Sequence, residues 1–221
     1  MTMFAYQAIL RVENPLSFRT SEYGNVIRMG RILHNWALMF AINGIRGNPE
    51  KSHRENLANC QVYATPAVVE NASFEFQTYH PFPEAPYLLA HPEKLKAGSL
   101  AAYQSNYTVL HYKEFATIGS TFRFALLSKV SLPPTMIITY GGKQTLQRVF
   151  LEEADSYINE TFQGTIRHPI NPLDFPDSIT LTNYFEYSIP PSPLFEGKAA
   201  NPFRAFIIKK GLNEYLVPPS W

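Results

Sequence analysis

Residues 22–44 read EYGNVIRMGRILHNWALMFAING, and this stretch decides the architecture because no other long run has a clear helical period. At about 100° per residue, Met29, Leu33, Trp36, Ala37 and Phe40 fall on one face. Arg28, Arg31 and Asn35 fall on the opposite one. The pattern predicts an amphipathic helix over residues 23–44, with Asn25 as its N-cap and Gly44 as its stop. Two arginines in its first turns would oppose the positive end of the helix dipole. A nearby anion would relieve that opposition; a solvated polar face is the other reading. The helix is expected to pack across a sheet, because the rest of the chain reads as short extended segments broken by Pro, Gly and Asn.

Residues 4–12 alternate cleanly. Phe4, Tyr6, Ala8, Leu10 and Val12 share one side, with Gln7 and Arg11 on the other, which predicts a half-buried strand closed by Asn14-Pro15. Strand, loop and helix in succession begin a βαβ unit, the first half of a ferredoxin-like or RNA-recognition-type domain. Residues 46–59 are polar and read as a short helix or loop. Residues 61–69, 72–78, 106–112 and 121–127 read as strands, with Gly119-Ser120 in a turn and an irregular, Pro-rich segment over 80–96. The apolar run 136–140 predicts a buried strand ending at Gly141-Gly142-Lys143. Residues 145–157 fit a strand paired back across that turn, with a helix as the alternative. Farther on, 164–176 and 188–202 read as Pro-rich loops, 179–189 as extended, and 203–209 and 215–217 as strands around a turn at 211–213.

The composition agrees with a folded, sheet-rich chain. Of 221 residues 45% are hydrophobic and 14% aromatic, with 16 Phe and 13 Tyr, and 18 Pro against 11 Gly imply many turns and few long helices. A net charge of +1 gives no global field for a polyanion, so any nucleic-acid surface must be a local patch. The single Cys60 excludes an intramolecular disulfide and a cysteine-based zinc site. Neither a signal peptide nor an apolar run long enough for a membrane span is visible, so a cytoplasmic protein without a membrane partner is expected.

Catalytic signatures are absent. Glu152, Glu153 and Asp155 cluster without a partner and read as a solvated edge. His34, His53, His80, His91, His111 and His168 form no metal-binding spacing. No nucleophile elbow or nucleotide-binding loop occurs, and neither metal nor cofactor is expected. Binding remains. Arg28, Arg31, Arg123 (between Phe122 and Phe124), Lys143 at the Gly141-Gly142 turn and Arg148 could converge, the basic groups holding phosphates while aromatics stack on bases. The Gly-Gly pair reads equally as a plain tight turn.

The pattern FAYQAILRVENPLSFRTSEYGNVIRMGRILHNWALMFAI over residues 4–42 resembles the start of the Csc-one proteins, the type I-D CRISPR branch of the Cas-five family. The carriers of the resemblance are the N-terminal strand, the Pro15-Leu16-Ser17-Phe18 loop, the Gly24 turn and the Leu33-His34-Asn35-Trp36-Ala37-Leu38 core of the helix. An apolar strand running into Gly142-Lys143, with Arg148 downstream, is a second similarity. The resemblance implies an α+β fold: a single RAMP-type, modified ferredoxin-like or RRM domain over 1–221, with a β-rich insertion around 61–118 and long Pro-rich loops. It implies a non-catalytic subunit of a crRNA-guided surveillance complex in antiviral defence. Such a subunit grips the 5′ handle of the crRNA and abuts a large Cas10-type subunit and the first Cas7-type backbone subunit, near the PAM of target DNA. Arg28, Arg31, Arg123, Gly141, Gly142, Lys143 and Arg148 are then the expected RNA contacts, with a neighbouring subunit as the alternative partner of Arg28 and Arg31, and residues 79–87 a protein-docking arm. Two rivals stay open: a metal-independent RNA endonuclease using His34 or His53 with Lys143, and a β-rich scaffold with protein contacts only.

Overall fold

The first strand, β1 (Phe4–Arg11), alternates as expected: Tyr6, Ala8 and Leu10 are buried, whereas Gln7, Ile9 and Arg11 are partly or wholly exposed on the other face. The computed structural model describes residues 2–18, 20–23, 26–48, 50–58, 60–79, 111–141, 145–175 and 179–219. The expected irregular segment over 80–96, most of the expected strand 106–112, and Asn25, Gly142 and Lys143 lie outside them.

The long helix does not form. Its first half is a hairpin, β2 (Ser21–Tyr23) paired antiparallel with β3 (Val26–Arg28), followed by the short β4 (Ile32–Leu33). Only α1 (Asn35–Ile42) is helical. The β-branched pair Val26-Ile27 favours extension, and Gly30 packs so closely that a Cβ there would lie 2.8 Å from Thr20 Cγ2. Helix starts where Trp, Ala, Leu and Met take over. Its N-cap is His34, whose Nδ1 accepts the Trp36 N–H at 3.2 Å. Asn43 is the C-cap, and Gly44 at φ 62° ends the helix as expected. Eight residues are too few to be stable alone. Burial of Leu38 and Met39, worth about 1.5–3 kcal/mol each, holds the helix against the sheet. Ala37 and Phe40, expected in the core, are half-buried, and Asn35, expected on a solvated face, is fully buried.

After α2 (His53–Leu57), capped reciprocally by Ser52 and Glu55, come β5 (Val62–Ala64), β6 (Ala67–Asn71), β7 (Phe74–Tyr79), β8 (His111–Ala116), β9 (Thr121–Ser128), β10 (Thr135–Tyr140) and β11 (Thr145–Glu153). The largest sheet runs β10-β11-β1-β9-β6-β4, with β5 also on β9. β1 is antiparallel to both β9 and β11. Inserting β9 between β1 and the parallel β5/β6 gives a split βαβ arrangement whose first crossover carries α1. The second crossover, from β9 to β11, carries the edge strand β10 instead of a helix. The strand reading of 145–157 holds through β11. β10 differs from the buried strand expected, because as an edge it exposes Ile137 and Thr139 while burying Ile138 and Tyr140.

Between β5 and β6 the chain takes four steps, Ala64 to Val68, against three on β9. Pro66 has no N–H to give the ladder, and beside it the Thr65 hydroxyl, instead of a main-chain carbonyl, accepts the Ala125 N–H at 2.9 Å. The Pro66 carbonyl is thereby free to accept from His168 Nε2 at 2.6 Å. This bulge ties the sheet to the C-terminal part of the chain.

That part consists of β12 (Ser156–Phe162), β13 (Thr165–Ile170), β14 (Leu181–Tyr187), β15 (Leu194–Ala199), β16 (Phe203–Lys210) and β17 (Asn213–Val217). They form two three-stranded sheets, β12-β16-β17 and β13-β15-β14. Residues 164–176 and 188–202, expected as loops, thus supply strands β13 and β15. A second core of Phe162, Ile166, Ile170, Phe203, Ile207 and Leu216 fills the space between them. A fourth sheet, β2-β3-β8-β7, packs against the main core through Ala116 and Phe74. Among the described residues no helix is long and apolar enough to cross a membrane.

Candidate nucleic-acid interface

A cleft of about 800 Å³ opens where the main sheet meets the two C-terminal sheets. Arg31, Val68 and Arg123 line one wall; Thr165, Arg167, His168, Tyr187, Glu196 and Tyr215 line the other. Two of the sequence-predicted arginines therefore meet here. They arrive by routes unrelated to a helix face.

Arg31 lies between β3 and β4. Its Nη2 donates to Glu114 Oε1 at 2.9 Å, its Nη1 donates to the Met29 carbonyl at 3.1 Å, and its guanidinium sits 3.4 Å from the Phe74 ring centroid. Glu114 is buried, and its Oε2 accepts the Met29 N–H at 3.0 Å. The cation is thus held rigid before any ligand arrives. Arg123 projects from β9 and donates to Glu70 at 3.1 Å. Arg167, on the exposed side of β13, makes no ion pair among the described residues. It was missed in the sequence, where 164–176 read as loop; the Ile166-Arg167-His168 alternation in a strand was its signal.

Among the described residues, Arg28, Gly141 and Arg148 do not join them. Arg148 shares the sheet face of Arg123, since Arg123 opposes Ile9 and Arg148 opposes Arg11 along β1, but it pairs with Glu13 at 2.9 Å and does not line the cleft. Arg28 is exposed at the end of β3. Gly141, at φ 94°, borders a separate depression beside α1 with Phe18, Phe40 and Tyr140. Phe18 and Tyr140 stack there with centroids 5.8 Å apart. Of the described residues expected to converge, Arg31 and Arg123 line this cleft, and Lys143 lies outside the described residues.

Of the two histidines raised by the endonuclease reading, His34 is enclosed in the fold and His53 is exposed on α2. His34 is fully buried; its Nδ1 accepts from Trp36, and its Nε2 donates to the Ser192 carbonyl at 3.1 Å. Burial pushes its pKa down to about 4, against the raising effect of the Ser192 carbonyl and with the help of His53. His168, buried beside Tyr215 at 4.7 Å between ring centroids, is likewise pushed by burial down to about 4. His53 stacks on Trp36 with centroids 5.6 Å apart. The Cys60 thiol is buried and raised to about 11, which makes it unreactive. Among the described residues no group of His, Cys, Asp and Glu could hold a metal ion.

One anchor was invisible in the sequence. Asp174, in a 3-10 turn over Pro172–Asp174, accepts from Trp36 Nε1 and Asn35 Nδ2, each at 2.6 Å, and from the Tyr63 hydroxyl at 2.8 Å. It clamps the C-terminal part onto α1 and β5.

A family model described as "Type I-D CRISPR-associated protein Cas5/Csc1" matches residues 3–217. No curated protein matches the sequence. Among solved structures, a chain of the cryo-EM structure of the Type III-B Cmr-beta bound to cognate target RNA and AMPPnP is 8% identical, with a TM-score of 0.45. A chain of Cmr-beta bound to cognate target RNA is 9% identical, with a TM-score of 0.42. Each alignment covers 90% of this chain and 86% of the other.

Proposed function

Since this chain belongs to the type I-D CRISPR-associated Cas5/Csc1 family, and therefore has a role in a CRISPR complex, we propose that it is the non-catalytic subunit that grips the 5′ handle of the crRNA. In this reading a RAMP-type, modified ferredoxin-like domain caps the assembly in the cytoplasm. It abuts the large Cas10-type subunit and the first Cas7-type backbone subunit, near the PAM of target DNA.

The observation that carries the RNA-binding reading is the cleft. In a chain of net charge +1, three arginines from distant parts of the sequence, Arg31, Arg123 and Arg167, line one opening. That is a local patch of the kind a near-neutral protein needs to hold phosphates. The non-catalytic reading is supported by His34, which is sealed from solvent and whose ring nitrogens are both engaged. A general base must reach the proton it abstracts.

Binding of a labelled crRNA 5′-handle oligonucleotide to the purified chain, measured across salt concentrations, tests the proposal. Arg123→Gln with Arg167→Gln is the suitable variant, because Arg31→Ala would strand the buried carboxylate of Glu114 and confound binding with folding. Loss of two phosphate contacts lowers the slope of log K against log salt by about 1.4 for a single strand, with weaker binding at low salt. Unchanged affinity and slope would overturn the assignment of this cleft. Specific cleavage of the RNA in EDTA would overturn the non-catalytic reading.

A further inference from the structure

The rim of the cleft carries two aromatic rings in contact, Tyr187 half-buried against Ile32, Ile189 and Leu194 and Phe185 left exposed. Phe185 and Tyr187 lie two residues apart on β14 and so share a face; their rings meet edge-on with centroids 4.7 Å apart. The Tyr187 hydroxyl donates to Glu196 Oε1 at 2.9 Å, and Glu196 is the register partner of Phe185. Tyr187 and Glu196 line the cleft. Phe185 stands beside them with 62% of its surface exposed.

A built-in irregularity aims these rings. From Thr182 to Phe185 β14 takes three steps, while β15 takes two from Lys198 to Glu196. The extra residue is a bulge, with Asn183 left-handed at φ 49°. Gly197 makes room for it, because a Cβ there would lie 2.7 Å from Tyr184 Cα. Leu181, before the bulge, pairs with the buried Ala199 and packs on the second core. In a regular strand Phe185 and Tyr187, also odd-numbered, would follow Leu181 inward. One extra residue turns both to the cleft side.

Cations flank the rings. Lys198 lies two residues from Glu196 on the same face of β15, and its register partners are Thr165 and Thr182. Lys198 and Arg167 are exposed, and neither makes an ion pair among the described residues. Of the carboxylates at the opening, Glu196 accepts from Tyr187 and Glu214 pairs with Lys209 at 3.5 Å.

We propose that Phe185 and Tyr187 are a base-stacking platform for a single-stranded nucleic acid: an unpaired base lies on the Phe185 ring while its flanking phosphates reach Arg167 and Lys198. This rests on the reading of the cleft as an RNA site and names the feature of the RNA that it takes. A paired base is already stacked within its helix and is not available to the ring. Every base has a π-face, so the platform tolerates sequence and selects for strandedness.

The test uses the full chain and an oligoribonucleotide carrying 2-aminopurine, single-stranded or annealed to its complement. Wild-type protein is expected to bind the single strand and quench its fluorescence, and to leave the duplex unquenched. Phe185→Leu keeps an apolar side chain but removes the π-face; it is expected to weaken single-strand binding roughly five- to hundredfold and abolish quenching. Its salt slope and melting temperature stay at wild-type values. Phe185→Trp restores both affinity and quenching, whereas Arg167→Gln with Lys198→Gln flattens the salt slope and leaves quenching in place. Wild-type binding and quenching by Phe185→Leu would overturn the platform and leave the RNA reading standing. A wild-type chain that binds no RNA would overturn both. If Phe185→Leu keeps its RNA but loses co-purifying subunits, the ring is a protein contact and the platform is wrong.

Discussion

Lowering the pH should destabilise this protein well before its carboxylates titrate, because two histidines are buried in the neutral state. In an unfolded chain each would take up a proton near 6.5; burial holds His34 and His168 at about 4 when folded. A folded-state pKa below the unfolded one means that the unfolded state binds more protons throughout that interval. The stability contribution is therefore complete above about pH 6.5 and is lost as the pH falls toward 4. At about pH 5 each histidine should cost about 2 kcal/mol relative to pH 8, or about 4 kcal/mol for the pair. The geometry says why neither can simply accept the charge. A proton on His34 Nδ1 would face the Trp36 N–H that it now accepts and would uncap α1. His168 lies next to the Arg123 cation, which further disfavours its charged form. Urea melts followed by tryptophan fluorescence at several pH values measure this directly, with a slope approaching about 2.7 kcal/mol per pH unit midway through the window. His34→Asn supplies a cap that does not titrate and should remove about half of that slope. The paired carboxylate of Asp155, lowered by its bonds from Gly211 and Lys210, contributes only nearer pH 4. Stability that stays flat from about pH 7 to 5 would refute the buried, neutral histidines and readmit His34 as a candidate base.

Two further variants probe the Asp174 clamp and the Gly141 turn. Asp174→Ala leaves the Trp36, Asn35 and Tyr63 donors without their shared acceptor and should cost about 3–6 kcal/mol in a denaturant titration; a loss under about 1 kcal/mol would show that the clamp is not formed. Gly141→Ala places a Cβ 2.6 Å from Leu16 Cδ1 at φ 94°, and Leu16 is fully buried and unable to swing away. It should lower stability by about 1–3 kcal/mol more than Gly44→Ala, where φ is 62° but the space is open. Equal losses would mean that only backbone conformation matters at both sites.

Alternation was the signal that could be trusted along this chain. β1, β11 and β16 carry a two-residue period against a continuous core, so tertiary burial and local pattern agree, whereas β9 is buried on both faces over residues 124–128. The helix over 23–44 failed because its apolar residues satisfy two periods at once. Met29 and Leu33 are as buried in a strand and its approach as they would be on a helix. The better clue was Gly24-Asn25, a two-residue hairpin signal between Tyr23 and Val26, which pair in register. β13 was lost for a related reason: Pro169 and Pro172 suggest loop, yet β13 bends through a register shift between Ile166 and Ile170 and accommodates the first of them. The Asp174 clamp was not legible at all, since its partners are 111 to 139 residues away in the chain.

The correction to the helix also changes why the arginines matter. On a helix, Arg28 and Arg31 would have been destabilised by the positive end of the dipole, and an anion would have been needed to repair the fold. In the structure no such debt exists. Arg31 is already satisfied by the buried Glu114 and the Phe74 ring, and Arg28 lies apart from the cleft. In the proposed RNA-binding reading, an incoming phosphate would meet a cation that folding has immobilised and half neutralised, which contributes position more than attraction. In that reading the attraction comes from the cations that form no ion pair among the described residues, Arg167 and Lys198 on the C-terminal sheet. The same sheet carries the bulge that exposes Phe185. The side of the cleft with no motif in the sequence is thus the side whose substitution should move the salt slope. Arg123, shared with Glu70, should contribute the smaller part of it.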